Sequence, residues 1–218
     1  MKTYMKTIKF IFIILLTHLN QLFAQGFVNL NFEQGVINTS GAPQFQTYAS
    51  NAIPGWTAYV AGDPQTYIAY NAISLGAGAV SIHDTNDVYP KIQGVYFILL
   101  QSATQATPLG PQSAAIGQTA QIPFAAQSVS FWGLAGGLAL SFAGQAVPFA
   151  QTGTTANYNI YAADISAFSG QIGELLFTAP FKSSGRIDNI QFSSTAVPEP
   201  TTLALALLGA TLLVCRRK

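Results

Sequence analysis

Charge is scarce in this chain, since only 8% of its 218 residues are Asp, Glu, Lys or Arg. Between Gln25 and Thr195 there are three basic and seven acidic residues, which gives that region a net charge of −4. A weakly acidic domain with three scattered cations lacks the basic surface that attracts nucleic acid. We therefore expect no nucleic-acid partner.

Cysteine is also scarce, and the single Cys215 excludes an intramolecular disulfide. A domain of this size can build a hydrophobic core without one, even when it is exported.

Long apolar runs are absent as well. The apolar runs near the two ends, residues 10–16 and 201–215, both fall short of the roughly 20 residues of a standard membrane-spanning helix.

The N-terminus has the three parts of a secretory signal. Lys2, Lys6 and Lys9 precede the short apolar run, and Ala24 stands where a signal peptidase would cut. This predicts a signal peptide over residues 1–24, passage through the general secretion machinery and a mature N-terminus at Gln25. An uncleaved anchor is the alternative.

Short β-branched and aromatic runs, broken by Gly, Pro, Asn and Ser, fill the region 25–195 and predict an all-β domain. Many short strands at regular spacing favour a two-sheet antiparallel sandwich. Ala143-Gly144 predicts a hairpin turn, and Asp164 is a candidate N-cap for one helical turn. The predicted strands are Phe27–Phe32, Trp56–Val60, Tyr67–Ile73, Ala79–His83, Gln93–Gln101, Ala115–Gln121, Ser128–Leu134, Leu138–Phe142, Gln145–Phe149, Tyr158–Ala162, Gly173–Phe181 and Ile187–Phe192.

The last segment, residues 196–218, combines three features in a fixed order. Val197, Pro198, Glu199 and Pro200 come first, and the two prolines favour an extended backbone. The apolar run 201–215 would form a short transmembrane helix of roughly 22 Å, less than the hydrocarbon core of a bilayer. The basic tail then places the C-terminus in the cytoplasm. Its residues are Arg216, Arg217 and Lys218.

This order closely resembles the PEP-CTERM sorting signal of Gram-negative bacteria. The resemblance implies recognition by exosortase, a membrane-embedded peptidase or transpeptidase. It also implies a transient stay in the inner membrane, followed by transfer of the domain to the cell surface or the extracellular matrix. An ordinary single-span anchor is the alternative.

The segment that runs from His83 to Tyr89 is the densest polar cluster of the domain. Asp84 and Asp87 are candidates for a calcium- or sugar-binding loop, and Tyr89 is the aromatic residue that we expect to be exposed beside them. Nothing in the sequence places the two carboxylates across a cleft as a glycosidase requires, and no nucleophile elbow accompanies His83. We therefore predict no catalytic residues; a solvated turn is the alternative to a binding loop.

Asp188 lies in the last predicted strand, two residues before Ile190 and four before Phe192. Alternate residues of a strand point to the same face, which predicts that Asp188 points with these two residues toward the core. A buried carboxylate needs hydrogen bonds, a cation or a shifted pKa. Bonds to backbone amides or a pair with Arg186 would satisfy it. A structural calcium ion held by Asp188 and Glu33 is the other interpretation.

The strand motifs at residues 29–33, 53–56 and 185–192 resemble those of galactose-binding-like jelly rolls, the fold of many carbohydrate-binding modules. This resemblance implies an antiparallel jelly-roll sandwich that binds sugar and holds a structural calcium. We expect a non-enzymatic surface or matrix protein that adheres to or binds exopolysaccharide. A purely structural protein without a ligand and a polysaccharide-active enzyme are the alternatives.

Overall fold

The structure is a computed structural model and describes residues 26–74, 76–104 and 110–197. Within these ranges the chain forms fourteen strands, one short helix α1 (Ala49–Ala52) and one 3-10 turn (Ser166–Phe168). The strands are β1 (Gln46–Tyr48), β2 (Thr57–Val60), β3 (Asp63–Pro64), β4 (Tyr67–Tyr70), β5 (Ala79–His83), β6 (Phe97–Gln101), β7 (Ala114–Gln121), β8 (Ser128–Leu134), β9 (Ala139–Phe142), β10 (Gln145–Ala146), β11 (Phe149–Thr154), β12 (Asn159–Asp164), β13 (Ile172–Ala179) and β14 (Ser184–Ser193).

Two sheets contain all of these strands. The larger has the order β1-β4-β5-β6-β14-β8-β12-β11, and the smaller has the order β10-β9-β13-β7-β2-β3. The chain crosses between the sheets eight times, from β1 to β2, β3 to β4, β6 to β7, β7 to β8, β8 to β9, β10 to β11, β12 to β13 and β13 to β14. The predicted jelly-roll sandwich is thus confirmed, and its pairs are antiparallel except for β4 and β5, where Ala69 faces Ser81 in parallel.

The core lies between the two sheets and consists of alternate residues of their strands. Phe131 of β8 and Phe177 of β13 are both fully buried and meet edge to face, with ring centroids 5.0 Å apart. Trp56 packs 6.5 Å from Phe177, and its Nε1 donates a hydrogen bond to the carbonyl of Asn29. The Phe131–Phe177 pair thus joins the larger sheet to the smaller one.

The prediction of a strand over Phe27–Phe32 is wrong. Asn29 and Phe32 adopt positive φ angles of 51° and 57°, so the backbone turns there instead of extending. Asn29 stabilises the turn through its Oδ1, which accepts a hydrogen bond from the amide of Gln34 at 3.0 Å. Phe32 is apolar because its side chain is fully buried against Trp56, and it does not belong to an alternating strand.

Two local predictions are confirmed. The hairpin at Ala143-Gly144 joins β9 to β10, and both residues have the positive φ that such a turn needs. The helical turn is present as the 3-10 turn Ser166–Phe168, but its N-cap is Ile165 and not the predicted Asp164. Oδ1 of Asp164 instead accepts a hydrogen bond from the amide of Ser166, the first residue of the turn, at 2.8 Å. The strand predicted over Gln145–Phe149 is divided, because its two ends belong to different sheets.

A bulge in β14 corrects the predicted direction of Asp188. Asn189 has a φ of 46°, and the pairing with β8 shifts register between Asp188 and Gln191. Ile187 and Ile190, three residues apart, therefore both lie in the core. Asp188 lies on the outer side of the sheet, where the loop between β5 and β6 covers it completely.

Candidate functional site

The loop between β5 and β6, residues 84–96, crosses the outer face of the larger sheet and is fixed at its start by Asp84. The carboxylate of Asp84 is buried and accepts hydrogen bonds from the hydroxyl of Tyr70 (2.7 Å), the side-chain amide of Asn71 (2.8 Å) and the backbone amide of Asn86 (2.8 Å). Burial raises the pKa of Asp84, but these hydrogen bonds outweigh it, and the pKa lies below its usual value. The hydrogen bond from its hydroxyl to Asp84 raises the pKa of Tyr70 to about 12.

Asp87 fixes the next part of the loop through a contact between its Oδ2 and Nδ1 of His83. The imidazole is fully buried, stacks on Phe97 at 5.2 Å and meets the ring of Tyr89 edge-on at 5.4 Å. Burial lowers the pKa of His83, with the nearby charge of Arg186 acting in the same direction, while Asp87 opposes it. The ring is therefore neutral near pH 7, and its Nε2 has no partner among the described residues.

Glu33 and Asp188 hold the far end of the same loop. Oε1 of Glu33 accepts hydrogen bonds from the amides of Val95 (2.8 Å) and Tyr96 (3.0 Å). Oδ2 of Asp188 accepts one from the amide of Gln93 at 2.9 Å. Two carboxylates from opposite ends of the chain thus converge on four consecutive loop residues.

Desolvation dominates the electrostatics of Asp188. Burial raises its pKa to about 8, and the negative charge of Glu33 adds to this, although bonds from the amides of Asn189 and Gln93 oppose it. Asp188 does not pair with Arg186, because within the described residues the only side-chain contact of a Lys, Arg or His nitrogen with a carboxylate is that of His83 with Asp87. No group of three or more His, Cys, Asp or Glu able to hold a metal occurs in the described part of the chain.

A shallow groove runs beside this loop over β6, β14 and β8. The groove has a volume of about 240 Å³, and Tyr89 and Arg186 line it. The guanidinium of Arg186 lies 5.1 Å from the centre of the Tyr89 ring and 5.8 Å from that of Phe97. Tyr89 is half-buried rather than fully exposed, because one side of its ring is in contact with Arg186 and His83. The other lining residues are Leu99, Gln101, Leu134, Ser184 and Gly185.

Two further grooves lie on other parts of the described surface. One, of about 390 Å³, lies at the edge where β3 meets β4 and β5 and is lined by neutral residues. The other, of about 340 Å³, lies on the smaller sheet, where the hydroxyl of Tyr59 donates a hydrogen bond to Glu174 at 2.9 Å. Neither contains a basic residue.

The structure therefore brings the five residues that were predicted as metal-binding or ligand-binding sites of the domain to one loop. Asp84, Asp87, Glu33 and Asp188 are hydrogen-bonded to the loop itself or to the strand before it. Only Tyr89 lines a groove, together with Arg186, which the sequence suggested merely as a partner for Asp188. The alternation of β14 is the signal that could have found Arg186, since it places this residue opposite the buried Ile187.

Of the predicted sorting motif, only Val197 belongs to the described residues, and it is half-buried. Pro198, Glu199, Pro200 and the basic tail Arg216, Arg217 and Lys218 lie outside them, as do the predicted signal peptide and transmembrane helix. Within the described part of the chain, no helix has the length and apolarity needed to cross a membrane.

The fold and the loop define a class of molecule: a jelly-roll sandwich with a groove on the outer face of its larger sheet. A more specific finding comes from the C-terminus, where residues 196–218 match the family model described as PEP-CTERM protein-sorting motif. The chain thus carries this sorting signal, which indicates an exported protein. Among curated proteins, none matches the sequence significantly.

Three solved structures are similar to part of this chain, each with a TM-score below 0.5. A carbohydrate-binding module, TmCBM61, solved in complex with β-1,4-galactotriose, is 16% identical with a TM-score of 0.42, over 78% of this chain and 99% of that one. The CBM35 of Paenibacillus barcinonensis is 15% identical with a TM-score of 0.35, over 64% and 99%. The enzymatically active domain of bacteriophage CBA120 tailspike protein 4 is 16% identical with a TM-score of 0.37. It matches 64% of this chain, which spans about a fifth of that domain (19%).

Proposed function

We propose that the mature protein is a non-enzymatic, polysaccharide-binding protein of the cell surface or extracellular matrix, delivered there by exosortase. The C-terminal sorting motif supports the delivery. In this proposal the signal peptide is removed after Ala24 and the segment 196–218 holds the domain transiently at the inner membrane. Exosortase then cuts near Pro198.

The groove beside the β5–β6 loop is the proposed sugar site, and the position of Tyr89 in it is the observation that carries this proposal. An aromatic ring offers a flat apolar surface to a sugar ring, while Gln101 and Ser184 offer hydrogen bonds to hydroxyl groups. At about 240 Å³ the groove is smaller than the roughly 300–1,000 Å³ of an enclosed ligand pocket. It therefore suits one unit of a polymer that lies across the sheet.

Catalysis is disfavoured by the way the acidic residues are used. Asp84 already accepts several hydrogen bonds, and Asp87 is bound to His83 beneath the loop. A glycosidase needs two carboxyl groups that face each other across the substrate with separated pKa values. Asp84 and Asp87 instead face protein groups, which supports binding without turnover.

We also propose that Glu33 and Asp188 hold a structural calcium ion. The residues fit such an ion, because two carboxylates converge on one loop and Oε1 of Gln93 in that loop is buried without a hydrogen-bond partner among the described residues. Carboxylate and amide oxygens are the ligands that Ca²⁺ prefers. The ion would balance the charge of an ionised Asp188, which burial disfavours.

Affinity electrophoresis through gels that contain the producing host's exopolysaccharide tests the sugar site. We expect the protein purified from that host to be retarded. The Tyr89→Ala variant should lose about 5- to 150-fold in affinity if the ring stacks on a sugar as strongly as aromatic rings stack on nucleobases, roughly 1–3 kcal/mol. Tyr59→Ala is the matched control, because it removes a half-buried tyrosine from the groove of the other sheet.

Loss of retardation in Tyr59→Ala alone would move the site to the smaller sheet and contradict the proposal. If the wild-type protein is not retarded, a purely structural role is favoured. Turnover of the polysaccharide that disappears in Asp84→Asn or Asp87→Asn would instead establish an enzyme.

A further inference from the structure

Arg186 is a cation without a counter-ion. No Asp or Glu oxygen of the described residues lies within 4.0 Å of its guanidinium. Its one hydrogen bond to these residues goes from Nη1 to the carbonyl of Pro90 at 3.4 Å. A guanidinium carries five N–H donors, so most of them remain free for a ligand or for water.

The position of this cation is held by packing. The guanidinium lies over the rings of Tyr89 and Phe97, and burial lowers its pKa while leaving it charged at any physiological pH. Tyr89 is held in turn by the loop that Asp84, Asp87 and Asp188 anchor. A half-buried charge loses part of its hydration, and an ordered one loses little conformational entropy when it binds an anion.

The geometry points to a carboxylate-bearing sugar, a uronic acid unit of an anionic polysaccharide, as the occupant of this groove, and we propose that Arg186 binds its carboxylate. This inference rests on the proposed polysaccharide-binding function and names the substrate class. The planar fork of Arg matches a carboxylate with two parallel hydrogen bonds. Tyr89 and the neutral donors Gln101 and Ser184 line the rest of the groove and would contact the sugar ring and its hydroxyl groups.

The surrounding charges favour a single carboxylate over a more highly charged group. Between Gln25 and Thr195 the chain has only two further cations, and its net charge is −4. Such a domain repels dense polyanions over long distances. One guanidinium balances one carboxylate, whereas a phosphate of about two charges or a nucleic acid would require a cluster of basic residues.

Isothermal titration calorimetry with four polymers tests the inference: polygalacturonate, methyl-esterified polygalacturonate, β-1,4-galactan and polyglutamate. We expect the wild-type protein to bind polygalacturonate about 10- to 100-fold more tightly than the esterified polymer or the galactan, because only the first offers a carboxylate on a sugar. Polyglutamate carries the carboxylates without the sugar and should bind weakly. The comparison needs no mutation and so does not depend on the folding of a variant.

The variant Arg186→Gln should bind polygalacturonate about 10- to 100-fold more weakly and lose the preference over the ester, and Arg186→Lys should restore it only in part. Lys182→Gln is the matched control, because Lys182 is also a cation beside an aromatic ring, 5.3 Å from the centre of Phe181, but lines none of the grooves. It should bind like the wild type.

The outcomes separate the two proposals. Equal binding of the acid and its ester that is lost in Tyr89→Ala would overturn the role of Arg186 and leave the sugar site standing. Polyglutamate binding as tight as that of polygalacturonate would mean that the groove recognises charge alone, which contradicts the uronic acid. If the wild type binds none of the four polymers but is retarded by the host's exopolysaccharide, the uronic acid inference is wrong and the sugar site stands; if it is not retarded either, both are wrong.

Discussion

At the scale of single residues, four of the seven carboxylates between Gln25 and Thr195 hold the β5–β6 loop in place. Glu33 and Asp188 accept hydrogen bonds from amides near its end, Asp84 from an amide at its start, and Asp87 contacts His83 below it. Charge-assisted hydrogen bonds of this kind are among the stronger ones in proteins. In a chain with so few charges, their concentration on one loop indicates that the position of this loop matters.

Asp188 predicts a pH dependence of stability. Its folded-state pKa of about 8 lies above its ordinary value of 3.8, so between these values the folded state keeps a proton that the unfolded state releases. The free energy of unfolding should therefore fall as the pH rises from about 4 to about 8, by up to about 1.4 kcal/mol for each unit between the two pKa values. Urea unfolding in EDTA at several pH values measures this, and Asp188→Asn should flatten the curve.

Replacing EDTA by Ca²⁺ provides the control for the proposed metal. A bound cation stabilises the ionised Asp188, so the fall in the wild-type free energy of unfolding toward pH 8 should be smaller in Ca²⁺ than in EDTA. The curve of Asp188→Asn should be the same in both. Superimposable wild-type curves in EDTA and Ca²⁺ would contradict the calcium site. A wild-type curve in EDTA that does not fall between pH 4 and 8 would contradict the raised pKa.

At the scale of elements, alternation of apolar residues predicted the strands that lie inside the sheets. Ala79–His83 and Ser128–Leu134 were predicted with the bounds they have in the structure, because each is a β-branched and aromatic run between turn residues. β1 and β3, both short edge strands, were missed because three or two residues carry no periodic signal. All of the edge strand β11 except Phe149 was missed as well, because its mostly exposed residues have no apolar alternation. The turn at residues 27–32 was missed because its apolar residues serve the core through a bent backbone.

The candidate site was predictable in its residues but not in its arrangement. Composition alone selected Asp84, Asp87 and Tyr89, since polar and aromatic residues stand together there. That Glu33 and Asp188 reach the same loop depends on pairs of residues 62 and 95 positions apart, which no local pattern encodes. The bulge at Asn189 likewise depends on the pairing of β14 with β8.

Gly94 tests the role of the loop as an element. This residue has a φ of +61°, and a Cβ built on it would lie 2.2 Å from Oε1 of Glu33. Gly94→Ala should therefore add the strain of a positive φ, roughly 1–2 kcal/mol, to the loss of the Glu33 hydrogen bonds, roughly 1–3 kcal/mol. Chemical denaturation measures the sum.

Gly62→Ala is the matched control for this substitution. Gly62 also has a positive φ, +90°, but a Cβ there would meet nothing within 4 Å. This variant should show the backbone strain alone and keep the affinity for polysaccharide. A Gly94→Ala variant no less stable than Gly62→Ala would mean that Glu33 does not anchor the loop.

At the scale of the whole molecule, the charges are divided by position. Six of the nine basic residues lie in the first nine and the last three positions of the chain, next to the apolar runs, and the domain between them is weakly acidic. Terminal cations beside apolar segments set the orientation of a chain in a membrane. The domain surface, with few charges and many amide and hydroxyl side chains, is then free to interact with hydrated polymers.

This division predicts two cuts in the mature protein. If both terminal segments are removed as we propose, mass spectrometry of material from outside the inner membrane of the producing host should find an N-terminus at about Gln25 and a C-terminus near Pro198. A variant with Pro198, Glu199 and Pro200 all changed to Ala should keep Lys218 and remain in the membrane fraction, since its extended, recognisable segment is lost. An intact Lys218 on wild-type protein at the cell surface would show that the C-terminal segment anchors the domain and is not removed.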